Sequence, residues 1–210
     1  MDAQSKQEKQ AQLAAIAREI AACRKCALCH SRSRTVPGAG PADAKIMFIG
    51  EAPGFHEDQQ GLPFVGRSGQ YLNQLLATVG LRREDVFIAN VVKCRPPENR
   101  DPLPEELAAC QDYLDRQIAV INPEVIITLG RFSMARYFPG ARITQIHGQG
   151  RRKDGRLYFP MYHPAAALRN PAMQPEMEAD IKRVIALMNT AGAADDNEEN
   201  DQPPVQLRLF

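Results

Sequence analysis

Four short apolar segments limit the folds open to this chain more than any other feature does. They span residues 45–50, 86–92, 125–129 and 157–162, and each ends at a polar residue or a turn. Short segments that are apolar almost throughout are typical of strands buried on both faces. Amphipathic stretches at 5–22, 68–79, 104–121 and 175–189 favour helices. This alternation predicts an α/β fold: a three-layer α/β/α arrangement with a central, mainly parallel four-stranded sheet.

The composition changes abruptly near the end of the chain. A typical domain holds ~150 residues, so the 210-residue chain suits one domain with appendages, and we assign residues 1–190 to that domain. Residues 191–204 (AGAADDNEENDQPP) are small, acidic and end in proline, which predicts a disordered linker. The linker leads into the apolar segment 205–210 (VQLRLF).

The formal net charge of +1 conceals a charge asymmetry. Residues 131–170 contain eight basic residues and one acidic residue, whereas residues 192–210 contain five acidic residues and one basic residue. A basic half-domain indicates a polyanionic partner, although an ordinary solvated surface explains it equally well. No apolar run approaches the ~18 residues of a membrane span, and the N-terminus lacks the apolar core of a signal peptide. We therefore expect a cytoplasmic protein with no membrane partner, and we expect it to be a monomer.

Polar or flexible residues stand at the end of each predicted strand. Glu51 follows the first strand, Asn90 lies near the end of the second, and Gly130 and His163 follow the third and fourth. Ligands bind beyond the carboxyl ends of the strands in an open parallel sheet, so these residues predict one binding site. Taken singly, Asn90 is equally well explained as a satisfied core amide, and His163 as a turn histidine before proline.

Asn90 is the most informative of these residues. An amide within the apolar segment 86–92 must form hydrogen bonds or cost ~1–3 kcal/mol. Its donors and acceptors suit a planar ligand edge that carries a carbonyl and an N–H, such as a nucleobase. Phe64, in the glycine-dense loop GLPFVGRSG, is a candidate to stack on such a ring, but spacing alone favours core packing.

The cysteines indicate a metal site rather than disulfides. Cys23 and Cys26 have C-x-x-C spacing, and Cys94 and Cys110 follow at a distance. An odd cysteine count in a chain expected to be cytoplasmic argues against a disulfide framework. Four thiolates suit zinc or an iron–sulfur cluster. From spacing alone, Cys110 is equally an inert buried cysteine on an apolar helix face, and Cys29 is an alternative fourth ligand.

Four motifs carry a family resemblance. They are CRKCALC, GEAPGFHEDQQGLPFVGRSGQYL, NVVKCRPPENRDP and HPAAALRNP, in that order along the chain. Together they resemble the family-4 uracil-DNA glycosylases, the iron–sulfur class of that superfamily, over about residues 20–190. The resemblance implies a monofunctional DNA-repair glycosylase that flips uracil out of DNA, hydrolyses its N-glycosidic bond and leaves an abasic site for base excision repair.

The resemblance also implies roles for individual residues. The catalytic residues are Glu51 and His163; the uracil-binding residues are Ala52, Glu57, Phe64 and Asn90; the loop that enters DNA carries Leu168 and Arg169; and the [4Fe-4S] ligands are Cys23, Cys26, Cys94 and Cys110. Cys29 is then a spare. The best-known branch of the superfamily has a water-activating Asp where this chain has Ala52. Water activation is therefore open, with Glu51 and Glu57 as candidates.

The last five residues resemble a second motif. The sequence QLRLF matches the QL-x-LF pentapeptide with which bacterial repair and replication proteins bind the sliding clamp. The resemblance assigns the clamp contacts to Gln206, Leu207, Leu209 and Phe210. Large apolar side chains at the end of an acidic stretch usually mark a partner's pocket. The alternative is that Leu209 and Phe210 fold back on the parent domain.

Two other functions stay open at this point. One is a covalent uracil-DNA binder of the related crosslinking branch, since QIHGQGRRK places His147 near basic residues, although the insertion typical of that branch is absent. The other is a zinc-stabilised nucleic-acid-binding module without catalysis. Release of free uracil separates the glycosylase from the first, and iron–sulfur colour separates it from the second.

Overall fold

The computed structural model describes residues 3–190 of the chain. The predicted linker 191–204 and the predicted clamp-binding peptide 205–210 lie outside these residues. The helices are α1 (Ala3–Ala22), α2 (Phe55–Gln60), α3 (Arg67–Ala77), α4 (Pro104–Ile121), α5 (Arg131–Ala135), α6 (Ile143–Ile146), α7 (Pro164–Arg169) and α8 (Gln174–Thr190). The strands are β1 (Ile46–Gly50), β2 (Phe87–Asn90), β3 (Val125–Leu129), β4 (Arg151–Lys153) and β5 (Arg156–Met161).

The strands form one sheet in the order β2-β1-β3-β5-β4. The first four strands in this order run parallel, and β4 pairs antiparallel with β5. The predicted α/β class and the mainly parallel sheet are therefore confirmed, but the sheet has five strands rather than four. Strand β4 carries no apolar pattern that would have predicted it, because its three residues are charged and exposed. Its pairing depends on a tight turn at Asp154 and Gly155, whose φ angles of 50° and 72° suit an Asp-Gly hairpin.

Apolar side chains cover both faces of the sheet. Phe48 belongs to one buried cluster, which includes residues of α3, α7 and α8. Met47 and Ile49, its neighbours on β1, belong to a second cluster with residues of α1 and α4. Successive strand residues point to opposite faces, so β1 contributes to both clusters. This arrangement is the predicted three-layer α/β/α architecture.

The helix predictions are accurate for long periodic segments and incomplete for short ones. Helix α4 has the predicted bounds, and its first turn is fixed by Glu106, whose carboxylate accepts the Leu103 N–H at 2.8 Å. The sequence missed α2, α5, α6 and α7, which have four to six residues each and are too short to show a period. Within residues 3–190, no helix is both long and apolar enough to cross a membrane.

Candidate active site

A cleft of about 940 Å³ opens where the parallel strands end. Segments that follow β1, β2, β3 and β5 line it, as the positions of the polar residues predicted. The cleft brings together Glu51, Ala52, Glu57, Phe64, Asn90, Gly130, His163, Leu168 and Arg169. These residues include every one that the resemblance assigned to catalysis, to uracil binding or to the loop that enters DNA. The cleft is therefore the candidate active site.

Gly50, the last residue of β1, sets the shape of the cleft. A Cβ atom at this position would lie 2.4 Å from the Asn90 Oδ1 and 2.6 Å from the Phe64 ring. Both distances are too short for non-bonded atoms, so any larger residue would push the two side chains aside. The absence of a side chain at Gly50 thus lets an aromatic ring and an amide converge on one point.

Phe64 is both a core residue and a wall of the cleft. It belongs to the buried cluster on the α3 face of the sheet, and its ring centroid lies 5.6 Å from that of His163. Its backbone has a φ of 51°, which is uncommon for a residue other than glycine. The two sequence interpretations, core packing and a surface facing a ligand, are therefore compatible.

Glu57 holds the loop that carries Phe64. One carboxylate oxygen, Oε1, accepts the N–H groups of Val65 and Gly66 at 2.8 Å each. Arg83 donates to the Phe64 carbonyl at 2.8 Å from the other side of the loop. Glu57 is buried at the N-terminal turn of α2. These bonds engage one of its oxygens with the backbone, which makes Glu57 a positioning residue for Phe64.

Asn90 ends β2 as a buried polar residue. Its residue exposure is 1%, and within residues 3–190 its Oδ1 atom has no hydrogen-bond partner. A buried acceptor left without a donor costs ~1–3 kcal/mol. The side chain lines the cleft, so a ligand with an N–H group is positioned to supply the missing donor. The amide oxygen of the residue that the sequence singled out is thus left without a partner by residues 3–190.

His163 is held as a neutral donor. Its Nδ1 atom accepts the Ala165 N–H at 3.1 Å, which caps helix α7. Burial, together with the nearby Arg169 charge, lowers the pKa of His163 to about 4. The single ring proton therefore lies on Nε2 at neutral pH. His163 can donate one hydrogen bond to a ligand without carrying a charge.

Glu51 lies between opposing electrostatic influences. Burial raises the pKa of its carboxyl group, and the Asp101 carboxylate adds to this effect. The positive charges of Arg131 and Arg169 act in the opposite direction. Glu51 is half-buried beside a basic rim, which suits a carboxylate that faces a developing positive charge.

The rim of the cleft differs from the expectation in two ways. Leu168 and Arg169, expected in a loop, end helix α7, where Leu168 packs partly against the core. Of the eight basic residues in 131–170, only Arg131 and Arg169 line the cleft. The sequence reasoning also missed Phe55, which is 52% exposed at the cleft and has the Arg95 guanidinium 5.2 Å from its ring centroid. The available signal for Phe55 was an apolar residue that directly precedes the polar run HEDQQ.

His147, the residue that suggested the crosslinking branch, is already occupied. Its Nδ1 atom lies 2.8 Å from an Asp180 carboxylate oxygen, and its ring packs on Tyr162 at 4.3 Å. Among the described residues, Tyr162 lines the cleft and His147 does not. The geometry gives His147 a supporting position behind the wall of the cleft rather than a position at its reacting centre.

The five cysteines gather around a second, smaller cavity. They come from the end of α1, the turn Ala27–His30, the segment after β2 and the middle of α4, and all five line the cavity. Cys94 and Cys110 are buried, whereas Cys23, Cys26 and Cys29 are half-buried. Cys23 and Cys26 pack against the same cluster that contains Cys94 and Cys110. The structure thus brings together the two near and the two remote cysteines of the sequence pattern.

Hydrogen-bond donors are directed at the sulfur atoms of this cavity. Arg32 donates to the Cys94 Sγ at 3.0 Å, the Lys93 N–H to the Cys110 Sγ at 3.3 Å, and the Lys25 N–H to the Cys23 Sγ at 3.5 Å. Burial raises the pKa of Cys94 to about 11, so the thiol is neutral unless a metal binds it. Within residues 3–190, no three His, Cys, Asp or Glu side chains are arranged so that they could already hold a metal ion. The donor set nevertheless fits thiolates, because N–H groups stabilise ligated sulfur.

Comparisons with known proteins agree with this geometry. Residues 37–186 match the Uracil DNA glycosylase superfamily. The type-4 uracil-DNA glycosylase of Sulfurisphaera tokodaii is 46% identical over 185 residues, which is 83% of this chain and 84% of that protein. The type-4 uracil-DNA glycosylase of Archaeoglobus fulgidus is 47% identical over 182 residues, which is 80% of this chain and 89% of that protein. The type-5 enzyme of Thermus thermophilus is 36% identical over only 118 residues, covering 49% and 53%.

Proposed function

The chain belongs to the uracil-DNA glycosylase superfamily and, within it, to the type-4 enzymes, and from this premise we propose that its cleft excises uracil from DNA. The observation that carries the proposal is the buried Oδ1 of Asn90, which has no partner among the described residues and lies beside the Phe64 ring and a neutral His163. A ring, an amide edge and a neutral donor are the groups needed to bind one pyrimidine.

The substrate base must leave the duplex before it can enter the cleft. Flipping a nucleotide out of the stack costs a few kcal/mol, and enzymes offset this cost with contacts to the opened strand. Leu168 and Arg169 lie at the rim, where an apolar side chain can fill the gap left in the stack. Arg169, together with Arg131 once it leaves its exposed ion pair with Asp101, faces phosphates, whose neutralisation supplies affinity without sequence preference.

Asn90 distinguishes uracil from cytosine in this proposal. Its Oδ1 accepts the uracil N3–H, and its NH₂ group donates to O4, while Phe64 stacks on the ring. Cytosine presents an acceptor at N3 and a donor at its exocyclic amine, so both hydrogen bonds are mismatched. A buried polar group left unpaired by the wrong substrate gives strong discrimination.

His163 and Glu51 act on the two charges that develop during bond cleavage. As the C1′–N1 bond breaks, its electron pair moves onto uracil and the sugar acquires positive charge. The His163 Nε2–H donates to O2 and stabilises the uracil anion. The Glu51 carboxylate faces the sugar and orients a water molecule, whose oxygen bonds to C1′ while its proton passes to the carboxylate.

The test is incubation with a uracil-containing oligonucleotide. We expect free uracil and a strand that stays intact until alkali cleaves it at the abasic site. An absence of uracil release would overturn the proposal. A covalent adduct on a denaturing gel would favour the crosslinking branch, and cleavage without alkali would indicate a lyase instead of a monofunctional enzyme.

We further propose that Cys23, Cys26, Cys94 and Cys110 hold a [4Fe-4S] cluster. Four cysteines around one cavity and the N–H groups directed at their sulfur atoms support this proposal. The cluster supplies a rigid link between the end of α1 and the segment that joins β2 to α4, and no step of the reaction passes through it. Iron and sulfide analysis with visible absorbance tests the assignment. Stoichiometric zinc in colourless protein would contradict it.

We propose that residues 206–210 bind a bacterial sliding clamp. We also propose that the enzyme is cytoplasmic and that it is a monomer when it is not bound to the clamp. The support is the QLRLF sequence, which follows an acidic stretch. Once the tail is bound to the clamp, the tether raises the effective concentration of the domain near DNA. Truncation after Pro204 should abolish clamp binding and leave uracil release from short oligonucleotides unchanged. Clamp binding by the truncated protein, or loss of its intrinsic activity, would contradict this assignment. Light scattering measures the molar mass in solution, and a mass of two chains would contradict the monomer.

A further inference from the structure

Lys93 is a buried cation that lines the cysteine cavity and contacts Asn90, a residue of the cleft. Its residue exposure is 1%. Its Nζ atom donates to the Asn90 carbonyl at 2.9 Å and to the Gln117 Oε1 at 2.7 Å. Gln117 in turn donates from its amide to the Pro37 carbonyl at 2.8 Å. The ammonium group is therefore directed at two acceptors, one of which is the backbone of the residue that reads the base.

This arrangement is energetically unusual. Lysine is almost never fully buried without a partner, because removing its charge from water costs several kcal/mol. Both acceptors of Lys93 are neutral oxygens, which compensate a charge less well than a carboxylate does. A residue kept at such a cost suggests a role that an apolar side chain cannot fill.

The backbone of Lys93 faces the other site. Its N–H group donates to the Cys110 Sγ at 3.3 Å, and the next residue in the chain is Cys94. Asn90 is the last residue of β2, so the segment between Asn90 and Cys94 is fixed by the strand at one end and by the cysteine cavity at the other. Lys93 contacts both within this short segment.

We infer that Lys93 is a positioning residue for base recognition: its ammonium group fixes the Asn90 carbonyl and so holds the Asn90 amide in the orientation that reads the base. The inference rests on the proposed function, because it assumes that Asn90 contacts uracil. It assigns to Lys93 a role in substrate discrimination that acts through Asn90 and involves no contact between Lys93 and DNA.

The experiment separates base recognition from DNA binding. Lys93→Met keeps the length of the side chain and removes its donors. Binding is measured to DNA that contains 2′-fluoro-2′-deoxyuridine, whose glycosidic bond resists hydrolysis, and to the same DNA with a tetrahydrofuran abasic analogue. We expect Lys93→Met to bind the fluorouridine DNA about tenfold more weakly, which is the effect of weakening one hydrogen bond between the Asn90 amide and the base. Binding to the abasic DNA and the iron content should stay unchanged.

A double variant tests whether Lys93 acts through Asn90. In the Asn90→Ala background, Lys93→Met should cause no further loss of fluorouridine binding, whereas a merely structural role would add its own loss. Lys45→Met is the matched control, since Lys45 lies in an exposed pair with Glu124 and its removal should change neither affinity.

Three outcomes would overturn the inference. They are unchanged fluorouridine binding by Lys93→Met, an equal loss for both DNAs, and additive losses in the double variant. If Lys93→Met does not fold, Gln117→Leu frees the ammonium from its second acceptor and should weaken fluorouridine binding selectively; an unselective effect contradicts the inference. Failure of the proposed function is distinguished by the unmodified protein, which would then bind the two DNAs equally and release no uracil.

Discussion

The cleft and the cysteine cavity treat their buried polar atoms in opposite ways. In the cleft, the Asn90 Oδ1 has no partner among the described residues, and His163 keeps its one ring proton on Nε2. In the cysteine cavity, N–H and guanidinium groups of the protein are already directed at three of the sulfur atoms. The cleft thus leaves hydrogen-bonding atoms for a ligand to pair, whereas the cysteine cavity pairs its sulfur atoms with donors of the protein.

This difference separates a site that exchanges its ligand from a site that keeps one. A ligand that enters and leaves must find free donors and acceptors, and the protein loses ~1–3 kcal/mol for each one left unpaired. A permanent group instead stabilises the fold around it, because its binding free energy is part of the folding free energy. Substitutions in the cleft should therefore affect catalysis more than stability, and substitutions in the cysteine cavity should do the reverse.

His163→Ala should produce the largest catalytic loss. It removes the neutral donor that stabilises the uracil anion, and the loss of one such donor typically lowers kcat about 100- to 1,000-fold. Single-turnover release of uracil measures the effect. Because His163 also caps helix α7, thermal denaturation should show only the loss of one helix cap, about 0.5–2 kcal/mol. A larger loss of stability together with the loss of activity would mean that His163 serves mainly the fold.

Gly50→Ala should lower kcat/KM about 10- to 100-fold. The new Cβ would lie 2.4 Å from the Asn90 Oδ1, and a displacement of about 1 Å in a positioning group costs up to about 100-fold in rate. Gly80→Ala tests the other cost of replacing glycine, because its φ of 72° strains any side chain although a Cβ there meets no atom within 4 Å. Equal losses of kcat/KM in the two variants would mean that general destabilisation, and not the space beside Asn90, explains the effect at Gly50.

Cys110→Ala should release the iron and lower the melting temperature by roughly 10 °C, since loss of a structural metal costs several kcal/mol. Cys29→Ala should change neither quantity, because Cys29 is the spare cysteine in our assignment. Iron analysis and calorimetry measure both. Retention of iron in Cys110→Ala with its loss in Cys29→Ala would reverse the ligand assignment.

The pH dependence should be the smallest effect and should identify Glu51. Its pKa is raised above the ordinary value of 4.5, so the active carboxylate is lost as the pH falls through that raised value. His163, with a pKa of about 4, stays neutral over the same range. The acidic limb of kcat should therefore persist in His163→Ala and disappear in Glu51→Gln. The opposite pattern would assign the limb to His163.

The sequence predicted those parts of the molecule that depend on local patterns. The apolar segments located four strands, and their ends located Asn90 and His163, because parallel strands bring their carboxyl ends to one edge. The family resemblance added Glu57, chose ring stacking for Phe64 and chose Cys110 over Cys29 as the fourth ligand. The structure places Glu57 and Phe64 at the cleft and all five cysteines at one cavity. The predicted four-stranded sheet was incomplete, since β4 is charged and its pairing depends on a turn.

The remaining features depend on contacts between distant residues. Glu57 supports the Phe64 loop because its carboxylate accepts the N–H groups of Val65 and Gly66. The spacing of these residues in the sequence does not predict those hydrogen bonds. Lys93 reads in the sequence as one more basic residue, yet its bond to Gln117 joins positions 24 residues apart inside the protein. Such roles require coordinates, because the chemistry of a buried polar group depends on its neighbours in space.

Base release by the unmodified protein and by Asn90→Asp tests most directly whether the unpaired amide of the cleft reads the base. Matched oligonucleotides carry uracil or cytosine at one position, and the released bases are quantified. We predict that the unmodified protein releases uracil alone, and that Asn90→Asp shifts the ratio of uracil to cytosine release toward cytosine by at least about tenfold. An Asn90→Asp enzyme that keeps full uracil activity and still ignores cytosine would contradict the central role of Asn90.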